Sequence, residues 1–384
     1  MSEWKKVKLD DCLELITYGF TNPMPDTLNG PWKVTAKDIN NGRIVFETAR
    51  HTSQEAFDND LTDKSRPKKG DILLTKDGTL GRLAIVGDER ICINQSVALL
   101  RVNNDILSVP YLYYLLSTPL YQAKMLADAG GAAIKHIYIT RVNQLLIPCP
   151  SYDEQCRIAN ILSRYDSLIE NYQKQIKLLE EAAQRLYKEW FVDFHFPGYE
   201  NAMIVDGVPE GWEKKKVGDM ISKIQRTKQV TTNNYQASGK IPVIDQSRNY
   251  IAGYTDDAEC LVKVTVPYIV FGDHTRILKY IPFSFAKGAD GTQLIMSNDL
   301  ERMPQTLFYN SLIEIDLSNY SYARHFKYLK EEFVLLPSEY IARKYDSIVS
   351  RYYQSIQKSR EQIRLLTEAR DRLLPKLMNG EIKV

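Results

Sequence analysis

The chain has 384 residues, of which 44% are hydrophobic, and a formal net charge of +2. A chain of this length can bury two or more cores of ordinary domain size. The near balance of charge excludes a uniform polycation, so any nucleic-acid surface must be a local patch. The five cysteines show no CxxC spacing, and we therefore expect neither a zinc site nor a disulfide framework.

The charged start of the chain, MSEWKKVKLDD, lacks the apolar segment of a secretory signal. No apolar run approaches the roughly 18 residues of a membrane-spanning helix. These features predict a cytoplasmic protein.

Residues 1–150 alternate short apolar runs with turn residues, which predicts a strand-rich first domain. Residues 71–75 have the pattern of a buried strand. They lead into the glycine turn 76–82 and a second strand from residue 83, so we predict a hairpin with a basic tip. Residues 109–116 begin with a proline in the first turn and are predicted to be helical.

Residues 151–193 carry apolar residues at alternating steps of four and three, the heptad spacing of a coiled-coil seam. Ser151, with Glu154 three residues later, is a predicted capping box for this helix. The seam residues that we expect to hold the coiled coil are Leu162, Ile169, Ile176, Leu179 and Leu186.

A second long helix is predicted because QIKLLEEAAQRLYK at 175–188 returns as QIRLLTEARDRLLP at 362–375. The corresponding seam is interrupted by Ser359 and Arg370, and single polar residues of this kind can set the register of a coiled coil. Its remaining candidate residues are Tyr352, Ile356, Ile363, Leu366 and Leu373. Two similar helices in one chain meet most simply as an antiparallel pair.

The two halves of the chain repeat further features in the same order. Each has a tryptophan near its start, a basic-His pair and a Leu-x-Pro exit before its long helix, which indicates internal duplication. We therefore predict an α+β protein with two strand-rich mixed α/β domains separated by two long helices that form an antiparallel coiled coil, with an internal pseudo-twofold repeat. The predicted boundaries are 1–150 for the first domain, 151–193 for the central helix, 194–337 for a linker and the second domain, and 338–384 for the C-terminal helix.

Signatures of catalysis are missing from the sequence. There is no phosphate-binding loop ending in Gly-Lys-Ser/Thr and no Asn/Asp-Pro-Pro-aromatic tetrad of an adenine methyltransferase. The Glu-x-Lys triplets lack an upstream aspartate at a convincing distance, so no nuclease metal site is supported. The five histidines are too dispersed to form a site, and we predict a non-catalytic chain.

Binding chemistry is concentrated at predicted turns, where Arg and Lys can donate to phosphates or guanine edges and glycines allow close backbone approach. For each of these side chains, a solvated surface position is an equally simple interpretation. The candidate nucleic-acid ligands are Lys68, Lys69, Lys76, Thr79, Arg82, Lys135, His136, His274, Arg276, Lys279, Arg324 and His325.

Four stretches together resemble the DNA specificity subunit of type I restriction-modification systems. They are GDILLTKDGTLGR at 70–82, IPCPSYDEQCRIA at 147–159, GVPEGWE at 207–213 and the repeated QI-x-LL-x-EA helices. The resemblance implies two target-recognition domains, each reading one half of a bipartite DNA sequence, separated by an antiparallel coiled coil. It also implies docking of methyltransferase and restriction subunits, which would carry S-adenosylmethionine, ATP and magnesium, with no cofactor in this chain.

A second interpretation comes from a different class of protein. The paired modules and coiled coil also suit a protein-interaction adaptor that does not read DNA, in which the basic loops are ordinary solvated surface. Salt separates the two hypotheses, because phosphate contacts make DNA binding weaken steeply as salt rises. A standalone nuclease or methyltransferase ranks third because its motifs are missing.

Overall fold

The computed structural model describes residues 4–127, 135–225, 227–320 and 324–384. The chain divides into two compact units. The first comprises Met1–Asn171 and Ile363–Val384, and the second comprises Tyr172–Gln362. Each unit therefore contains a globular body and one stretch of each long helix.

The described residues of the first unit's globular body form eleven strands in four small sheets. The strands are β1 (Lys6–Lys8), β2 (Leu13–Tyr18), β3 (Thr27–Val34), β4 (Ile39–Asn40), β5 (Arg43–Ile44), β6 (Arg50–His51), β7 (Ile72–Thr75), β8 (Leu83–Ile85), β9 (Ile91–Ile93), β10 (Val97–Val102) and β11 (Leu146–Pro148). The main sheet is antiparallel with the order β2-β10-β7-β8, and a second has the order β6-β3-β9 with β3 parallel to β9. The pairs β1-β11 and β4-β5 complete the body.

The predicted hairpin is present as β7 and β8, which pair from Ile72–Ile85 to Leu74–Leu83. The side chains of β7 are buried on both faces because helices and the smaller sheet cover the main sheet, which explains its unbroken apolar run. The helices are α1 (Gln54–Asn59), α2 (Val109–Ser117), α3 (Pro119–Ala127) and α4 (Ile139–Val142), and Pro110 lies in the first turn of α2 as predicted.

The second unit repeats this plan with different sequences. Its strands are β12 (Ile204–Val205), β13 (Val208–Pro209), β14 (Glu213–Lys216), β15 (Ile241–Ile244), β16 (Gly253–Thr255), β17 (Leu261–Val262), β18 (Tyr268–Gly272), β19 (Leu278–Ile281), β20 (Phe285–Lys287), β21 (Thr292–Ile295) and β22 (Phe333–Leu336). The sheets have the orders β19-β18-β21, β16-β15-β20-β17, β14-β22 and β12-β13. As β3 does with β9, β15 pairs in parallel with β20, the strand that follows the hairpin.

Two long helices confirm the helical prediction. They are α5 (Tyr152–Tyr187), which continues as a π-helical turn over Lys188–Val192, and α8 (Glu339–Met378). The hydroxyl of Ser151 accepts a hydrogen bond from the Glu154 amide, as expected of an N-cap. The shorter helices of the second unit are α6 (Gln305–Ile313) and α7 (His325–Leu329).

The helices α5 and α8 contact each other inside the second unit. The Tyr345 hydroxyl donates to the Ala183 carbonyl at 3.2 Å, and the Ser359 hydroxyl donates to the Gln175 side chain, also at 3.2 Å. The residue numbers of the contacts increase along α8, from Tyr345 to Ser359, and decrease along α5, from Ala183 to Gln175, so the two segments run antiparallel. Ser359, a predicted interruption of the seam, is buried and satisfied by this bond.

In the first unit the other polar seam residue, Arg370, makes an equivalent cross-helix contact. Its guanidinium donates to the Asp166 carboxylate of α5 at 2.6 Å. The same carboxylate accepts a hydrogen bond from the Tyr114 hydroxyl of α2 at 2.6 Å. Asp166 therefore joins both long helices to the globular body of that unit.

The segment predicted as a linker is folded. It forms the β12-β13 hairpin, and Phe196 and Trp212 lie in the main core of the second unit with ring centroids 4.8 Å apart. The Pro and Gly content of the segment predicted a linker. The aromatic contacts that fix it are tertiary, so they leave no periodic pattern in the sequence.

Candidate nucleic-acid interface

The turn between β7 and β8 presents the predicted basic tip of the first unit. Gly78 and Gly81 have φ values of 77° and 79°, which glycine adopts without strain. Thr79 between them is exposed. The turn therefore offers an accessible hydroxyl and backbone amides at the surface.

Asp77 is an electrostatic centre at the base of this turn. Its carboxylate accepts a hydrogen bond from the Lys76 ammonium at 2.7 Å and lies 2.5 Å from Nδ1 of His136. Lys76 also lies 5.3 Å from the centre of the Tyr18 ring. The two predicted ligands Lys76 and His136 thus come together at one carboxylate, which forms a salt bridge with the Lys76 ammonium.

The other basic candidates of the first unit lie at the surface. Lys69 pairs with Asp88 at 2.7 Å, and Lys68 lies 3.6 Å from Asp63. Lys135, next to His136, is exposed. Exposed pairs of this kind contribute little stability, so their lysines can exchange a carboxylate for another anion.

In the second unit, Gln246 connects the loops that correspond to this region. Its side-chain oxygen accepts a hydrogen bond from the amide of His274 at 3.1 Å, and its amide nitrogen donates to the Asp290 carbonyl at 2.9 Å. The Thr275 hydroxyl donates to the Gln246 carbonyl at 2.7 Å. His274 and Thr275 are exposed on the turn that Gln246 holds.

Arg276 closes the same turn in a conformation that non-glycine residues rarely adopt, with a φ of 61°. Its amide donates to the Gly272 carbonyl at 2.8 Å and its guanidinium donates to the Leu317 carbonyl at 3.1 Å. One edge of the guanidinium is therefore occupied within the unit, although the residue is exposed.

The second basic-His pair divides between surface and interior. Arg324 is exposed, whereas His325 is buried, with its ring nitrogens 2.9 Å from the Asp273 carbonyl and 2.8 Å from the Tyr320 carbonyl. The Asp273 carboxylate also accepts from the amide of Phe326. His325 thus holds α7 against the end of β18, much as His136 contacts Asp77 after β7.

Two predicted DNA ligands point into the protein. Arg82 donates to the Ile39 carbonyl at 3.0 Å. Lys279 is 4% exposed, and its ammonium donates to the carbonyls of Asp245 at 2.7 Å and Asn249 at 2.5 Å. Burial lowers the pKa of Lys279 to about 8, against the opposing effect of the Asp245 carboxylate. The sequence does not distinguish basic side chains that point inward from those at the surface, because both kinds follow a turn.

None of the ten candidate residues on the long helices is exposed. Leu162, Ile169 and Ile356 are buried, and the others are partly buried. Ile176, Leu179, Leu186 and Tyr352 pack on the main core of the second unit, and Leu373 packs on that of the first.

Sequence reasoning missed Asp77, Asp273 and Gln246, which orient the candidate ligands. An acidic residue after each central strand was visible in the sequence, but its partners lie far away along the chain. His136, for example, is 59 residues from Asp77.

Within residues 4–127, 135–225, 227–320 and 324–384, no group of three or more His, Cys, Asp or Glu side chains is placed to hold a metal ion. The same described residues include no helix that is long and apolar enough to cross a membrane.

Comparison with known proteins finds similar proteins of one kind. Residues 1–181 match the family described as Type I restriction modification DNA specificity domain. The type I restriction enzyme MjaIX specificity subunit of Methanocaldococcus jannaschii is 28% identical, with 92% of this chain and 87% of that protein covered. The EcoBI specificity subunit of Escherichia coli is 26% identical over 45% of this chain and 37% of its own length.

The fold has a solved counterpart in the crystal structure of the type I restriction-modification S subunit from M. genitalium. That structure shares 18% sequence identity and a TM-score of 0.61, with 98% of this chain and 96% of that chain covered. The family match, the relatives and the shared fold agree with the resemblance found in the sequence. Residues 1–181 thus match the type I restriction modification DNA specificity domain, and the chain as a whole is similar to specificity subunits of type I restriction enzymes.

Proposed function

We propose that each unit of this specificity subunit binds one half of a bipartite DNA sequence. The observation that carries the proposal is the repetition of one arrangement with different side chains. In each unit a turn after the central strand β7 or β18 presents polar and basic residues, Thr79 near Lys76 in one and His274 with Arg276 in the other. Two similar arrangements of strands and turns that carry different surface side chains can bind two different DNA half-sequences.

The candidate ligands fall into two groups on this proposal. The exposed ones are Lys68, Lys69, Thr79, Lys135, His274, Arg276 and Arg324, and this group also includes Lys76 and His136, which are partly buried beside Asp77. Arg82, Lys279 and His325 support the loops from inside and do not contact DNA.

We propose further that α5 and α8 set the spacing between the half-sites and dock methyltransferase subunits and, in the full enzyme, restriction subunits. Both helices contribute residues to both units, which supports a shared spacer. S-adenosylmethionine, ATP and magnesium would be bound by those partner subunits, and the complex would act in the cytoplasm.

The test is co-expression with a methyltransferase subunit of a type I system, followed by genome-wide mapping of methylated adenines. A split recognition sequence with a fixed gap is expected. Purified complex should also lose affinity for that sequence by orders of magnitude between roughly 50 and 200 mM salt. Methylation without a split motif, or binding insensitive to salt, would refute DNA reading and favour the protein-interaction adaptor.

Spacing can be tested separately by inserting one heptad into each long helix at facing positions. Seven helical residues add about 10 Å, or roughly three base pairs of duplex. The tolerated gap should lengthen accordingly, whereas an insertion of seven residues in the exposed turn near Thr79 should leave it unchanged. An unaltered gap in the heptad variant would contradict the spacer role.

A further inference from the structure

In both units, a loop follows the strand that pairs in parallel with the strand after the hairpin. The strand β3 ends at Val34 and is parallel to β9, and β15 ends at Ile244 and is parallel to β20. The loops that follow occupy residues 35–40, which extend into β4, and 245–250. Neither loop was singled out by the sequence.

The two loops are anchored in the same way from inside the protein. Arg82, which precedes β8, donates to the carbonyl of Ile39, and Lys279 of β19 donates to the carbonyl of Asn249. Ile39 and Asn249 are each the fifth residue after the end of the strand, at 34 + 5 and 244 + 5. A cation from the second hairpin strand thus fixes the equivalent carbonyl in each unit.

Further bonds restrict the loop of the first unit. The Thr35 hydroxyl and amide both donate to the buried Asp38 carboxylate, which also accepts from Thr48. The amide of Ala36 donates to the Ser96 hydroxyl at 3.0 Å.

The loop of the second unit is held at both ends. Gln246 makes the three bonds to neighbouring loops described above, and the Tyr250 hydroxyl donates to the Tyr280 carbonyl at 2.7 Å. The Arg360 guanidinium of α8 lies 3.8 Å from the centre of the Tyr250 ring. This geometry is that of a cation–π contact.

Each fixed loop displays one cation. Lys37 and Arg248 are exposed, and neither forms a salt bridge with another residue that the structure describes. Several exposed neighbours are neutralised instead, since Arg50 pairs with Asp26, and Lys228 pairs with Asp257 and Glu259. When such a cation binds a ligand, no backbone has to be ordered and no salt bridge has to be broken, so the cost is limited to ordering the side chain.

We propose that Lys37 and Arg248 contact DNA, one from each recognition unit, and that Arg82 and Lys279 are the positioning residues that hold their loops. The ligand atoms are phosphate oxygens or the O6 and N7 acceptors of guanine, which an arginine can bind in bidentate fashion. This inference rests on the proposed function and assigns residues to it.

Lys37→Ala and Arg248→Ala should be tested in complex with the methyltransferase subunit, using duplexes that carry both half-sites or one altered half-site. Each variant is expected to lose about 5- to 150-fold in affinity for the intact sequence. Lys37→Ala should weaken recognition of one half-site, and Arg248→Ala should weaken recognition of the other. Lys8→Ala and Lys263→Ala remove exposed lysines outside the loops and serve as matched controls.

Two further measurements identify the acceptor. A guanine contact would make the variant insensitive to substitution of one base pair. If the contact is to a phosphate, the alanine variant should show a slope of log affinity against log salt that is smaller in magnitude by about 1 than that of the wild type. The variant should also be insensitive to replacement of that phosphate by a neutral methylphosphonate.

Arg82→Met and Lys279→Met test the positioning role. Arg82→Met should reduce sequence discrimination only at the half-site that Lys37→Ala affects, and Lys279→Met only at the half-site that Arg248→Ala affects. Both are measured at a temperature where circular dichroism shows the variant to be folded. Loss at both half-sites would overturn the positioning role.

The inference fails if both alanine variants bind like their controls while the wild-type complex reads a split sequence. If the wild-type complex binds DNA without sequence preference, the proposed function fails first. The two failures are distinguished by the wild-type measurement alone.

Discussion

Replacing Asp166 with asparagine should destabilise the first unit. The carboxylate accepts from Arg370 of α8 and Tyr114 of α2, both at 2.6 Å. Asp166→Asn keeps the shape of the side chain but removes its charge, so Arg370 loses the ion pair that joins α8 to α5. Arg370 would retain Asp371, which lies 2.8 Å away.

The expected loss follows from the partial burial of the pair. The side chains of Arg370 and Asp166 are 27% and 35% exposed. Exposed ion pairs contribute about 0–1 kcal/mol, whereas breaking a buried pair costs about 3–5 kcal/mol. We therefore expect Asp166→Asn to lower the free energy of unfolding by about 2 kcal/mol, including the weakened bond from Tyr114.

Urea denaturation and hydrogen exchange of the α2 amides would measure this loss. Asp371→Asn is the matched control, because it removes the other carboxylate on the same guanidinium at a site that is 56% exposed, and it should cost less than about 0.5 kcal/mol. Adding Arg370→Met to Asp166→Asn should recover part of the loss, because an apolar side chain then replaces a partly buried guanidinium that has lost the Asp166 carboxylate. Equal effects of the two asparagine variants would refute the role assigned to Asp166.

Two further predictions concern the second unit. Because burial lowers the pKa of Lys279 from 10.5 to about 8, its unfolded state binds more protons between these values, and wild-type stability should rise relative to Lys279→Met as pH increases from about 8 to 10.5. Unfolding curves of both proteins across this range measure the difference, and parallel pH profiles would contradict the assignment. Arg302 donates to the carbonyls of Pro337, Leu336 and Gly211 and to the Glu213 carboxylate, a fork that lysine cannot reproduce. Arg302→Lys should therefore cost about 2 kcal/mol by urea denaturation, while Arg343→Lys, at a 65% exposed site, should be nearly neutral, and equal costs would count against the fork.

The long helices were predictable because their signal is local. A heptad pattern and an N-terminal serine specify a helix without knowledge of the rest of the chain, and α5 begins at Tyr152, directly after Ser151. The hairpin β7-β8 was also predictable, since a buried apolar run met a glycine turn.

The direction of the basic side chains was not predictable from sequence. Arg82 and Thr79 belong to the same turn, yet the guanidinium reaches inward to Ile39, 43 residues away, while Thr79 faces solvent. Lys279 stands in β19, where its ammonium closes a loop from a distant strand. Such contacts are set by the tertiary approach of segments, which leaves no periodic trace.

The composition of the first unit has a consequence for biosynthesis. Its core includes Leu374, Leu377 and Met378, which lie in the segment Ile363–Val384, far along the chain from Met1–Asn171. The core of the first unit can therefore be completed only after this segment has been translated, whereas every residue of the second unit has by then been translated. Translation therefore begins with the unit that is completed last. Until its C-terminal segment has been made, the first unit exposes apolar core surface that chaperones can cover.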